Sequence, residues 1–199
     1  MENSNGGSVF FDEMARTMEF DPDAALRFSG GVRAFIMSAS TIADLIDDLY
    51  LVLGERFVDA RLYLGGKRAG KRTAAALATK YNLAPTDKAQ AEAFYTGFYT
   101  ALGWAKLEFQ LDYINRAGTV MARNSFLAQG AVAKFTARGV ATTVAENKLA
   151  PRCAMLSGYV AGIVSHLFDA DVDAREVECL ATNSAVCRFE IYTKQTPLH

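Results

Sequence analysis

The sequence predicts an α+β fold, an antiparallel sheet with helices packed on it. Two periodicities carry that prediction. Apolar residues recur at every second position around turn residues in 107–126 and 174–192, and at every third or fourth position in long stretches kept apart from them. In addition, no glycine fingerprint joins a strand to a helix as it would in a doubly wound dinucleotide fold.

Residues 1–8 are rich in Gly, Ser and Asn and are expected to be disordered. In ALRFSGGVRAFIM, Ser29, Gly30 and Gly31 separate two short apolar runs, which is hairpin grammar because glycine takes positive φ at little cost. Thr41 with Asp44 resembles a capping box, after which Ile42, Leu45, Ile46, Leu49 and Leu53 repeat at helical spacing up to Gly54. A second helix is expected from about Phe57 to Tyr81. A third opens at Thr86 and Asp87, with Ala91, Phe94, Phe98 and Leu102 on one face, Tyr95 and Tyr99 beside it, and Trp104 at its end. LEFQLDYI alternates over Leu107, Phe109, Leu111 and Tyr113, and Arg116 to Gly118 turn the chain into VMARNSF. A helical or loop stretch follows to Asn147. Pro151 then opens a helix reaching about Phe168, and AREVECLA and AVCRFEIY close the fold around Thr182, Asn183 and Ser184. Residues 194–199 are a tail without pattern. A chain of 199 residues, 51% apolar, is long enough for one sizeable core, so residues 9–193 read as a single domain.

The formal charge of -1 offers no global attraction for nucleic acid or an anionic membrane. No apolar run approaches the roughly 20 residues of a membrane span, and MENSNGGS lacks the features of a signal peptide, so the expected location is the cytoplasm. Thiols stay reduced there, and an odd set of three cysteines speaks against a disulfide framework.

Gly65 to Thr73 imitates a phosphate loop, but Arg72 stands where a magnesium-binding hydroxyl should follow Lys71, and the segment lies inside a helical pattern. Its glycines suit the close approach of a neighbouring element, with Lys67, Arg68, Lys71 and Arg72 as a solvated face. The two histidines, His166 and His199, belong to no Ser-His-Asp or HExxH arrangement, so acid–base catalysis is poorly supplied and an enzyme is not the favoured expectation. His166 reads as a helix-end residue near a favourable dipole.

The cysteines carry more. If Thr182 to Ser184 form the loop, with Ala181 facing Ala185, Cys179 falls opposite Cys187, and a cross-strand pair sets Cβ atoms roughly 5 Å apart, close enough to share a metal. Cys153, at the start of a helix, should gain acidity from the positive helix end. Glu176 and Glu178 are both available as an oxygen ligand, and three inert buried cysteines are the alternative to a metal site.

PRCAMLSGYVAG followed by EVECLATNSAVCRFEI resembles the 4-vinyl reductase domain, a family related in fold to NO-signalling haem domains and Golgi transport-particle subunits. ALRFSGGVRAFIMSAS to LYLGGKRAGKR resembles the N-terminal part of the sensor domains of aromatic-responsive transcription activators. The resemblance implies a zinc held by Cys153, Glu176, Cys179 and Cys187, and not by Glu178. It also implies a pocket for a hydrophobic or aromatic molecule. We expect that pocket between the aromatic helix and the central strands, touched by Phe94, Phe98, Trp104, Phe109, Phe126 and Tyr159. The expected function is a stand-alone sensor or carrier of a small hydrophobic ligand, in a homodimer. An enzyme or accessory of tetrapyrrole vinyl reduction and a transport-particle-type adaptor are the alternatives.

Overall fold

The structure, a computed structural model, describes residues 12, 15–16, 18–21, 25–28, 32–137 and 150–193. The expected disordered start 1–8, the Ser29 to Gly31 turn, the end of the stretch to Asn147 and the tail 194–199 lie outside the described residues.

Strands β1 (Glu19–Asp21), β2 (Ala25–Phe28) and β3 (Val32–Ala34) form a small antiparallel sheet in chain order, with the expected hairpin pairing Phe28 to Val32. Helix α1 (Ala39–Leu53) begins three residues before the expected Ile42. Ser38 caps it instead of Thr41, its hydroxyl accepting the Thr41 N–H at 3.2 Å. Gly54, at φ 81, breaks the chain into α2 (Glu55–Lys80). Asp87 caps α3 (Lys88–Ala101) by accepting the Gln90 N–H at 2.9 Å.

Strands β4 (Lys106–Asp112) and β5 (Ala117–Arg123) follow, then α4 (Phe126–Ala137), α5 (Ala154–Phe168), β6 (Asp173–Glu178) and β7 (Cys187–Tyr192). The β4–β5 turn comes earlier than the expected Arg116 to Gly118. Asp112 Oδ1 accepts the N–H groups of Ile114 and Asn115, both at 3.0 Å, Arg116 takes φ 52, and Gly118 is already in the strand. These four strands make an antiparallel sheet in the order β4-β5-β7-β6. Helices and antiparallel sheets together make the molecule α+β, as the sequence predicts.

Alternation gives that sheet two unlike faces. Leu107, Val120, Ala122, Ala174, Phe189 and Ile191 are buried in the core with α3 and α5. The opposite face is tied by cross-strand ion pairs, Arg123 to Glu108, Arg175 to Glu190 and Arg188 to Glu178. Helix α5 is buried along nearly its whole length, against β6 on one side and α2 on the other. The contact with α2 is made by glycines. A Cβ on Gly66 would collide with the Met155 carbonyl, one on Gly70 with the Tyr159 carbonyl, and one on Gly158 with the Tyr63 carbonyl. The close approach expected of the glycines near Lys67 is therefore an α2–α5 seam.

Lys67 departs from the expected solvated face. It turns inward, its ammonium 2.8 Å from Asp173 Oδ1 and 3.0 Å from Asp171 Oδ1, while Arg68, Lys71 and Arg72 remain exposed. Among the described residues, no helix is long and apolar enough to cross a membrane.

Candidate metal centre and aromatic cluster

Ligand atoms of Cys153, Glu176, Cys179 and Cys187 all lie within 4.8 Å of one another. Three parts of the chain bring them together. Cys153 stands at the N-terminal end of α5, Glu176 lies in β6, and Cys179 and Cys187 flank the last turn. The β6–β7 ladder runs up to Glu178 opposite Arg188, so the next pair in that register is Cys179 with Cys187, as the sequence suggests. Their sulfurs are 3.9 Å apart, and Cys153 Sγ is 3.5 Å from Cys187 Sγ. Beyond Cys179 the chain does not continue as strand to Ala181; it winds into a short 3-10 turn, Leu180–Thr182, that ends on left-handed Asn183.

A β-bulge decides which glutamate joins the cysteines. Residues 176 and 179 are three apart, and in an unbroken strand they would face opposite sides. The register of β6 shifts between Glu176 and Glu178, and the extra residue returns Glu176 to the cysteine side. Glu178 is left on the other face, where its Oε1 accepts from Arg188 at 2.6 and 3.0 Å. The periodicity of EVEC alone left the choice open.

The four groups strain one another electrostatically. Burial, and then Cys179, push the Glu176 carboxyl up to about 9. Its Oε2 accepts the Cys153 N–H at 3.0 Å, whereas its Oε1 is buried with no hydrogen-bond partner. Hydrogen bonding with Cys153 and Cys179 draws the Cys187 thiol down to about 4, and the Leu180 N–H helps at 3.4 Å. The Cys153 thiol is held up by its bonds to the other two cysteines and by burial, so the acidity expected from the helix end is outweighed. A buried carboxylate oxygen without a partner, beside three buried sulfurs, is a donor set that a divalent cation would satisfy and that protons satisfy badly.

Around the cluster, Ser125 Oγ lies 3.3 Å from Cys153 Sγ, and the Arg152 N–H donates to Cys179 Sγ at 3.5 Å. The Arg152 guanidinium covers the Tyr50 ring at 4.8 Å and reaches Glu55 at 3.2 Å, linking the cluster to the α1–α2 corner. Sequence reasoning missed both residues. Arg152 offered one signal, a cation next to Cys153, while nothing near Ser125 distinguished it.

The six aromatic residues separate into groups. Trp104 meets Tyr159 at 4.6 Å and Phe126 at 5.5 Å between ring centroids, both edge-on. Phe94 and Phe98 stack on α3 at 6.1 Å and join the first group through Tyr99, which touches Phe98 at 5.4 Å and Trp104 at 5.9 Å. Phe109 packs against the same core from β4. Elsewhere, an open groove of about 550 Å³ is lined by Ala117, Gly118, Thr119, Arg175, Glu190, Ile191 and Tyr192, and touches none of the six.

With this geometry, comparison with known proteins is informative. Residues 139–193 match the family model of the 4-vinyl reductase domain. All four clustered ligands lie within this matched segment, so the family resemblance and the clustering concern the same residues. The chain is similar in fold to the crystal structure of the phenol-responsive sensory domain of the transcription activator PoxR with phenol, at 19% identity and TM-score 0.71, covering 96% of this chain and 90% of that one. It is also similar to trafficking protein particle complex subunit 3 from Naegleria fowleri, covalently bound to palmitic acid, at 10% identity and TM-score 0.50, covering 79% and 95%. These two likenesses bear out the expected fold. No curated protein matches the chain.

Proposed function

We propose that this protein binds a small hydrophobic or aromatic molecule, as a sensor or carrier, among the side chains of α3, α4 and α5, and that one zinc per chain holds the adjoining end of the sheet. The observation that carries the binding reading is the ring cluster of buried Tyr99 with half-buried Trp104, Phe126 and Tyr159, in a fold shared over almost its full length with a phenol-responsive domain. Phe94, Phe98 and Phe109 extend the same apolar wall.

Cys153, Glu176, Cys179 and Cys187 would hold the zinc. Around a tetrahedral zinc with Zn–S of about 2.3 Å, sulfurs stand about 3.8 Å apart. The observed separations of 3.5 and 3.9 Å suit that spacing. Four protein ligands leave no position for a reacting water, so the metal's contribution is structural: it fixes the start of α5 to the β6–β7 end. The N–H groups of Arg152 and Leu180 orient two of the sulfurs.

A second copy of the chain is the proposed partner. Leu45, Leu51 and Val52 on α1 and Phe57 and Leu64 on α2 are exposed apolar side chains, more than a solvated surface requires.

Native mass spectrometry of the purified protein tests the whole reading in one measurement. The expected spectrum is a dimer with one zinc per chain that sheds a small apolar molecule on activation. A metal-free monomer with no bound molecule, from protein purified without chelator, would refute it.

A further inference from the structure

Arg152 is held at two points that face different parts of the molecule. Its backbone N–H donates to Cys179 Sγ at 3.5 Å, and the next residue, Cys153, sets its own sulfur 3.5 Å from that of Cys187, so the main chain here belongs to the cysteine cluster. Its guanidinium reaches the other way, over the Tyr50 ring at 4.8 Å and to Glu55 at 3.2 Å. Tyr50 is the only fully buried side chain of α1, and its hydroxyl donates to Asp59 of α2 at 2.6 Å across the break at Gly54. The α1–α2 corner is thus seated on the Arg152 side chain, and the backbone of Arg152 is seated on the cysteines. With its side chain only 12% exposed, the guanidinium cannot withdraw without leaving a gap against Tyr50.

The same corner joins two exposed stripes. On α1, Leu45, Asp48 and Val52 share a face at helical spacing, and on α2, Phe57, Arg61 and Leu64 do the same. Each stripe is apolar with one charge in it, an acid on α1 and a base on α2. A second copy related by a two-fold axis would lay α1 of each protomer on α2 of the other, so that apolar meets apolar and acid meets base in both halves. That reciprocity favours a second copy over an unrelated partner, and it depends on the angle between the two helices that Arg152 helps to set.

We propose that metal binding and pairing of two copies are linked through Arg152. An ion at the cysteines fixes residues 152 and 153 against Cys179, the guanidinium then holds Tyr50 and Glu55, and the corner keeps the shape that a second copy recognises. The inference rests on the metal and second-copy readings above and adds that neither event is independent of the other. Linkage is reciprocal: the factor by which zinc tightens the dimer is the factor by which the dimer tightens zinc.

Two measurements read the link from its two ends. Sedimentation of zinc-loaded and chelator-stripped protein gives the dimer dissociation constant with and without the ion, and competition with a chelating dye, at protein concentrations below and above that constant, gives the zinc affinity of monomer and dimer. In the wild type both should change by the same factor, ~10-fold or more. Arg152→Leu keeps the backbone N–H at Cys179, so it should still take up zinc, but with an affinity that no longer depends on protein concentration. Tyr50→Leu, which leaves residue 152 in place, should uncouple the two events in the same way, and it decides the matter if Arg152→Leu fails to fold. A wild-type dimer equally tight with and without zinc, or a link that persists undiminished in the variants, would overturn the inference and leave the metal and second-copy readings intact. A wild type that stays monomeric at every concentration would overturn the second-copy reading and the link with it, and one that takes up no zinc would do the same to the metal reading.

Discussion

At the scale of single residues, the two glutamates of EVEC make the sharpest contrast. Glu176→Ala is expected to abolish zinc retention, because it removes the only oxygen donor of the proposed set, whereas Glu178→Gln should keep the metal and shift stability by under about 1 kcal/mol, the usual worth of a partly exposed ion pair. Metal analysis and melting of the two variants side by side check this. Loss of zinc from Glu178→Gln with retention by Glu176→Ala would invert the assignment. His166 allows a pH prediction. Burial, and then the Lys88 ammonium, hold its imidazolium pKa below 6.5, and Lys88 already occupies the Leu167 carbonyl at the helix end, so the favourable dipole site expected for His166 is taken. The folded state thus binds its proton less well than the unfolded chain. Stability from this residue is complete above about pH 6.5 and is lost as pH falls through that value toward the lower folded pKa. Melting temperature should therefore fall less between pH 7.5 and 5.5 in His166→Gln than in the wild type, and equal falls would refute the reading.

At the scale of elements, the α2–α5 seam is the most extensive helix–helix contact among the described residues. Gly158→Ala should destabilise the protein by about 1–3 kcal/mol, because the added methyl meets backbone that cannot swing away. Gly65→Ala, one residue from the seam with open space around it, should be neutral or mildly stabilising through helix propensity. Denaturant unfolding of the pair separates packing from propensity. The same elements show what the sequence reveals. Period and turn residues placed Cys179 against Cys187, because a hairpin's register follows from its turn. The bulge that turns Glu176 toward them was not legible, since an extra residue leaves no mark in the alternation of EVEC; there the family resemblance selected the residue. The inward turn of Lys67 was equally hidden, for its partner Asp173 lies 106 positions away. Glycine at 66 and 70 announced a close neighbour, but only the fold names it as α5. The aromatic residues were legible as a cluster.

For the whole molecule, chelation and association are the relevant tests. If the proposed zinc is bound, a strong chelator should lower the melting temperature and expose all three buried thiols to titration, because the ion would join the β6–β7 end to α5. Unchanged melting and unreactive thiols would mean the lobe holds without an ion. In sedimentation, the wild type should run at twice 21.6 kDa and Leu51→Asp, at a side chain 86% exposed, should run at 21.6 kDa without loss of secondary structure.

The glycine seam also has a mechanical meaning. With backbone resting directly on backbone at Gly66, Gly70, Gly158 and Gly162, no side chain lies between α2 and α5 to absorb a displacement, and Tyr159 is part of that contact. Tyr159, whose ring meets Trp104 and Tyr99, therefore has its backbone seated directly on α2, the helix that carries the exposed Arg68, Lys71 and Arg72. Helices packed backbone to backbone have little room to slide, so α2 and α5 are expected to shift together rather than past one another.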